Sequence, residues 1–122
     1  MRKILVIDDE VSFLVPTKKM LEGPSRAVDT ADTLDEALRL LGLEFYDVVI
    51  ADVRLGGSMG SEGLLILEYV RKNCAGTRVI LITGFGGPNV MRDAYALKAD
   101  YYFEKPVSPS RLAAALDAMG VK

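Results

Sequence analysis

The sequence predicts a single α/β domain, a parallel sheet with helices on both faces. Three observations predict it. Short continuous apolar runs rich in Val and Ile occur at Ile4–Ile7, Val48–Ala51 and Val79–Ile82. Each is too short for a helix and lacks the alternation of a half-exposed strand, so each reads as a strand buried on both faces. Segments with helical spacing lie between the runs, and the strand–helix alternation repeats five times along the chain. Strict alternation of this kind belongs to a parallel sheet with crossover helices. Finally, the 122 residues are half hydrophobic and 26% charged, enough to bury one core of common size. Residues 1–122 read as that one domain, with no internal repeat, low-complexity segment or linker.

Each element has its own signal. The run Ile4–Ile7 ends on Asp8-Asp9-Glu10. Phe13, Leu14, Thr17, Met20 and Leu21 suit a helix over Phe13–Leu21, although Pro16 inside it costs about 3 kcal/mol. That helix is expected to start late or bend at Pro16, and Gly23-Pro24 ends it. Ala27–Thr30 is half polar and reads as an edge strand. Thr33-Leu34-Asp35-Glu36 is a capping box. Leu34, Ala37, Leu38 and Leu41 then follow the amphipathic template until Gly42 stops the helix.

The central strand runs from Asp47 to Asp52, and a loop rich in glycine covers Leu55–Gly63. A helix is expected over Leu64–Asn73 and a strand over Arg78–Thr83. Gly84-Phe85-Gly86-Gly87-Pro88 makes a turn, and Asn89–Lys98 a helix with Val90, Ala94 and Leu97 on one face. Asp100–Glu104 is an aromatic strand followed by Lys105-Pro106. Ser110 is the expected cap of a last helix carrying Leu112, Leu116 and Met119.

Composition excludes several classes of function. The net charge of −2 leaves no electrostatic footprint for nucleic acid. The single cysteine, Cys74, cannot form an internal disulfide, which fits a reducing, cytoplasmic setting. Met1-Arg2-Lys3 is basic, but the apolar run after it is too short for a signal peptide, and no run approaches a membrane span. There is no histidine. That rules out a Ser-His-Asp or Cys-His catalytic group, a zinc site using His, and service as a phosphohistidine donor.

The chemistry sits at strand ends. In a parallel sheet all C-terminal ends lie on one edge, where ligands bind. Asp8-Asp9, Asp52, Thr83 and Lys105 therefore meet there. Three carboxylates face one ammonium, and like charges ~4 Å apart repel by roughly 4 kcal/mol at an effective dielectric of ~20. Such a cluster holds protons or recruits a cation. Oxygen ligands without His or Cys favour Mg²⁺, with Mn²⁺ or Ca²⁺ as substitutes, over zinc. A divalent cation lets Asp52 approach a phosphoryl group as a nucleophile, and Lys105 and Thr83 can bond its oxygens.

These motifs, in this order on alternating elements, resemble the receiver domain of two-component response regulators over essentially the whole chain. The resemblance implies a flavodoxin-like (βα)5 three-layer sandwich with sheet order 2-1-3-4-5. It implies that Asp52 accepts phosphate from a sensor histidine kinase or phosphotransfer protein. Asp9 and Asp52 would bind Mg²⁺, with Asp8 acting through water and the backbone carbonyl of Arg54 completing the set. Lys105 would pair with Asp52 and then with the phosphate. Thr83 would swing towards the phosphate, and Tyr102 would change rotamer in response. The face formed by the fourth helix, fifth strand and fifth helix would then be altered, and would serve homodimers. The domain would catalyse only its own phosphorylation and dephosphorylation, without binding nucleic acid or membrane.

The sequence departs from the family pattern in places. Leu55-Gly56 replaces the usual Met-Pro, and Glu62-Gly63 lies a few residues further past Asp52 than the family's acid-Gly pair. Gly84 stands where Ala is usual. Arg54 and Phe85 flank the expected mouth of the site, where their bulk should slow hydrolytic water and prolong the phosphoryl lifetime.

Two other functions compete. A phosphatase of the haloacid dehalogenase type also uses Asp, Mg²⁺, Thr and Lys, but wants an acid two residues after its nucleophile. Arg54 holds that position after Asp52, Glu10 after Asp8 is an inexact match, and no substrate-covering cap domain is expected. Turnover of a generic phosphate ester would distinguish it. A pseudo-receiver would keep the fold without phosphorylation and would be expected to lack a key residue. The chain ends at Val121-Lys122 soon after the fifth helix. It therefore either acts alone on a partner or is the receiver of a longer protein.

Overall fold

The computed structural model describes residues 1–54, 62–84 and 88–121. Strands β1 (Arg2–Ile7), β2 (Arg26–Ala31), β3 (Val48–Asp52), β4 (Arg78–Thr83) and β5 (Tyr101–Glu104) alternate with helices α1 (Val11–Leu21), α2 (Leu34–Leu43), α3 (Glu62–Asn73), α4 (Pro88–Ala96) and α5 (Pro109–Ala118). The strands form one parallel sheet in the order β2-β1-β3-β4-β5. This is the expected flavodoxin-like order, with the half-polar β2 at an edge.

The continuous apolar runs are explained by two cores. Ile4, Val6, Val48, Ile50, Ile80 and Ile82 face α1 and α5, where Leu14, Leu21, Leu112 and Leu116 meet them. Leu5, Ile7, Val49, Ala51, Val79 and Leu81 point the other way, against Ala37 and Leu41 of α2, Ile66, Leu67 and Val70 of α3, and Ala94 of α4. Alternation of side chains across a strand feeds both layers, so no position in β3 is left for water.

Register then places the functional edge. Ile7 lies opposite Ala51 and Asp52 opposite Ile82, so Asp8 comes level with Asp52. Thr83 lies opposite Glu104, which puts Lys105 one step beyond. The ladder continues past the strands: the Asp8 amide donates to the Ala31 carbonyl at 3.1 Å, Val53 to Ile82 at 2.8 Å and Lys105 to Thr83 at 2.8 Å. The Lys105–Pro106 peptide bond is cis.

Several boundaries differ from the sequence expectation. Helix α1 starts at Val11 and runs through Pro16 instead of starting late. Pro16 and Ser12, whose carbonyl loses its helical partner, both lie on the exposed face, where water replaces the missing bond. Helix α2 passes Gly42 and ends at Leu43, with Thr33 accepting the Glu36 amide at 3.1 Å as the capping box requires. Helix α4 stops at Ala96, before the expected Lys98, because Lys98 adopts φ of 68°. The amides of Lys98 and Ala99 close that end on the carbonyls of Tyr95 and Ala94. Helix α5 is capped by Ser108, not Ser110: its hydroxyl accepts the Arg111 amide at 3.2 Å. Pro109 takes the first helical position, where its missing N–H costs nothing.

Tyr46 ties the layer between α2 and β3 to the edge strand. It is 1% exposed, and its hydroxyl donates to Asp29 Oδ2 at 2.7 Å. Burial first, and then the Asp29 and Glu44 carboxylates, raise the phenol above its ordinary value. The Thr77 hydroxyl donates to its carbonyl at 2.7 Å. Tyr46→Phe removes a hydrogen bond to a charged group and leaves Asp29 short of a donor. It is expected to cost about 1–2 kcal/mol in a denaturant unfolding series, with the slope unchanged.

Candidate functional site

The site is built on the C-terminal edge from residues that leave or end four strands. Asp8 follows β1 and is fully buried. Its Oδ1 accepts the Glu10 amide at 2.9 Å and its Oδ2 accepts Lys105 Nζ at 2.8 Å. Asp52 ends β3 and is 5% exposed. Its Oδ1 accepts the Arg54 amide at 3.0 Å, and its Oδ2 lies 3.2 Å from Lys105 Nζ. Lys105 therefore pairs with Asp52 as expected, but its shorter bond is to Asp8. Glu10 Oε1 is the third partner of Lys105, at 3.1 Å.

Asp9 completes the acidic group. One carboxylate oxygen from each of Asp8, Asp9, Glu10 and Asp52 lies within 4.8 Å of the others. This donor set is all oxygen, combines two buried and two exposed carboxylates, and exceeds the charge Lys105 can offset. It fits a hard divalent cation of the Mg²⁺ class, which takes oxygen ligands and keeps several waters.

The electrostatics follow from burial. Asp8 is raised above its ordinary value chiefly because burial penalises the charged carboxylate, against which the Lys105 bond and the Glu10 amide work. For Lys105 burial is the largest influence and pulls it down, but the bonds to Asp8 and Glu10 and the charges of Asp8 and Asp52 more than offset it. Its ammonium is raised overall. The Phe13 ring, 5.1 Å from Nζ, adds a cation–π contact from α1.

The other expected residues are placed as follows. Thr83 is fully buried at the end of β4, beside β3, and its carbonyl accepts the Lys105 amide. Arg54 follows β3 and is half-buried. Gly84 is exposed, and a methyl group there would meet only Lys105 Cδ, at 4.0 Å. Tyr102 is half-buried on the α4 side of β5, its ring 6.4 Å from that of Tyr95. Phe85 lies outside the described residues, as do positions 55–61 of the expected Leu55–Gly63 loop.

A family model described as the response regulator receiver domain matches residues 4–117. The chain belongs to that family. Receiver domains are the signalling domains of two-component response regulators, bind Mg²⁺ at an acidic pocket and interact with histidine kinases. The chain is 34% identical over 115 residues to the alginate biosynthesis transcriptional regulatory protein AlgB of Pseudomonas aeruginosa, a match covering 93% of this chain and 25% of that protein. It thus spans about a quarter of the length of that relative. Among solved structures, the beryllofluoride-activated NtrC4 receiver domain dimer is similar with a TM-score of 0.84 and 30% identity, over 97% of this chain and 95% of that one. A response regulator from Burkholderia pseudomallei with a phosphorylated aspartic acid, calcium ion and citrate matches with a TM-score of 0.82 and 27% identity, over 98% of this chain and 73% of that one. No helix among the described residues of this receiver is long and apolar enough to cross a membrane.

Sequence reasoning gave Glu10 and Gly63 no contact in the site. Glu10 is one more acid in an acidic turn, and only the fold shows its carboxylate on Lys105. Gly63 was legible only as a displaced motif. In the structure it packs the start of α3 on the end of β3: its amide donates to the Val53 carbonyl at 3.0 Å. A Cβ there would lie 2.4 Å from the Asp52 carbonyl oxygen and 2.5 Å from Val53 Cα.

Two predictions follow from this geometry. Gly63→Ala must push α3 off the Asp52–Val53 backbone. It should destabilise by about 1–3 kcal/mol and shift the Asp52 and Val53 amide resonances more than those of β1. Asp8→Asn should stabilise the cation-free protein at neutral pH. A raised carboxyl contributes stability below its ordinary value and loses it as pH rises through the raised one. The advantage of Asp8→Asn should therefore shrink as pH falls, and thermal melts across that range in EDTA check it.

Proposed function

We propose that this receiver takes a phosphoryl group on Asp52 and reports it through the face formed by α4, β5 and α5. The observation that carries the reading is the buried Asp52 carboxylate, held between the Arg54 amide and Lys105 inside a ring of three further acids. An Asp52 oxygen attacks phosphorus, a P–O or P–N bond of the donor breaks, and an acyl phosphate forms. The chain has no histidine, so the donor's phosphohistidine belongs to a kinase or phosphotransfer protein. Asp8, Asp9, Asp52 and the Arg54 carbonyl would hold Mg²⁺, with Mn²⁺ as a substitute. The cation supplies charge neutralisation between the acids and the incoming phosphoryl group.

The chain's own groups do the rest. Lys105 moves from carboxylate to phosphoryl oxygen, a charge-assisted bond of the same kind. Thr83, one strand away, offers its hydroxyl. Tyr102, opposite Leu81 of β4, has its ring 6.4 Å from that of Tyr95 on α4, which is 50% exposed, so a rotamer change there would reach the surface. Arg54, with Phe85, would slow water at the mouth of the site and prolong the phosphoryl lifetime. The domain thus catalyses only its own phosphorylation and dephosphorylation, in a cytoplasmic setting. A homodimer through α4, β5 and α5 is consistent with the dimeric NtrC4 receiver.

Intact mass after incubation with Mg²⁺ and acetyl phosphate tests the acceptor. One phosphoryl group on the wild type and none on a folded Asp52→Asn variant is expected. An unmodified wild type with Mg²⁺ bound would favour the pseudo-receiver.

A further inference from the structure

An ammonium has three protons to donate. In this site all three of Lys105 go to carboxylates: Asp8 Oδ2 at 2.8 Å, Glu10 Oε1 at 3.1 Å and Asp52 Oδ2 at 3.2 Å. A phosphoryl group on Asp52 brings three further acceptor oxygens. Lys105 can bond one only by releasing a carboxylate.

The three partners are unequal. Asp8 is fully buried and makes the shortest bond, so releasing it strands an ionised group away from water. Phosphorylation turns the Asp52 carboxylate into a neutral acyl group, so its 3.2 Å bond to Lys105 passes to one phosphoryl oxygen, and a second bond there needs another partner released. The Glu10 side chain is 59% exposed, so water can take over its carboxylate at little cost. Phe13 packs on the ammonium from α1 without taking one of its protons.

We infer that Glu10 is a positioning residue that clasps Lys105 in the unphosphorylated site and competes with the phosphoryl group for it. Glu10 therefore stabilises the empty site and weakens phosphoryl capture. The inference rests on the reading of Asp52 as the acceptor.

Beryllofluoride, a phosphoryl mimic that binds reversibly, makes the test an equilibrium measurement. Titrations of wild type, Glu10→Gln and Asp52→Asn are run at saturating Mg²⁺, with Mg²⁺ affinity measured separately. Glu10→Gln keeps the side chain's size and removes its charge. It should bind beryllofluoride about two- to fivefold more tightly, the range of an exposed ion pair, and the gain should shrink at high salt. The ammonium protons of Lys105, followed by NMR without beryllofluoride, should exchange faster with solvent in Glu10→Gln. Equal or weaker beryllofluoride binding by the variant overturns the clasp. So does a gain in affinity with Lys105 exchange unchanged, since Glu10 would then act without Lys105. If wild type fails to bind, or Asp52→Asn binds equally well, the acceptor reading falls and the clasp with it.

Discussion

One ammonium makes this site possible. Asp8 and Asp52 lie side by side at the edge of a sheet, both buried, and at a few ångströms their charges oppose each other by kilocalories. Lys105 bonds both. Its stem approaches from the end of β5, past the half-buried Phe13 and the open space left by Gly84, and its charged end reaches across β4 to the first and third strands. Without it, either carboxylate would hold a proton or turn towards solvent.

Topology supplies the reach. In the order β2-β1-β3-β4-β5, the strands bearing Asp8 and Asp52 are neighbours, and the strand bearing Lys105 is two places from Asp52. A lysine side chain spans that gap only if the chain leaves β5 at the right level. The bond from the Lys105 amide to the Thr83 carbonyl sets that level. On the far side, Gly63 lets α3 press against the Asp52–Val53 backbone and holds β3 from below. Asp52 is thus positioned by backbone contacts from two directions, while its charge is balanced by a side chain from a third.

Much of this was legible in the sequence. Continuous Val- and Ile-rich runs fix buried strands, and a polar residue closing each run is placed by topology alone. Asp8, Asp52, Thr83 and Lys105 were readable for that reason, and the edge position of β2 followed from Asp29 and Thr30. What was not readable depended on solvent or on close packing. Pro16 passes inside α1 because its face is wet, a property of the folded surface. Ser108 outcompetes Ser110 as cap because Pro109 presets the first turn, a signal present in the sequence and overlooked. Gly63 shows its purpose only when α3 meets β3. Glu10 gives no local signal, because its partner lies 95 positions away.

The residual imbalance of charge explains why such a site needs a well-packed sheet beneath it. Four carboxylates gather around one ammonium, so the unliganded edge opposes folding, most of all at Asp8, whose burial favours the protonated form. The opposing term is the core. Every residue of β3 is buried, and apolar side chains from all five helices cover the two faces. Burial at roughly 25 cal/mol per Å² over so many side chains far exceeds a few kilocalories of repulsion. Stability and function are therefore assigned to different parts of the same strands: interior positions hold the sheet, and terminal positions carry more charge than Lys105 offsets. A divalent cation entering this edge relieves repulsion already present. That relief offsets part of the cost of gathering four carboxylates at a buried edge, while the core beneath stays packed.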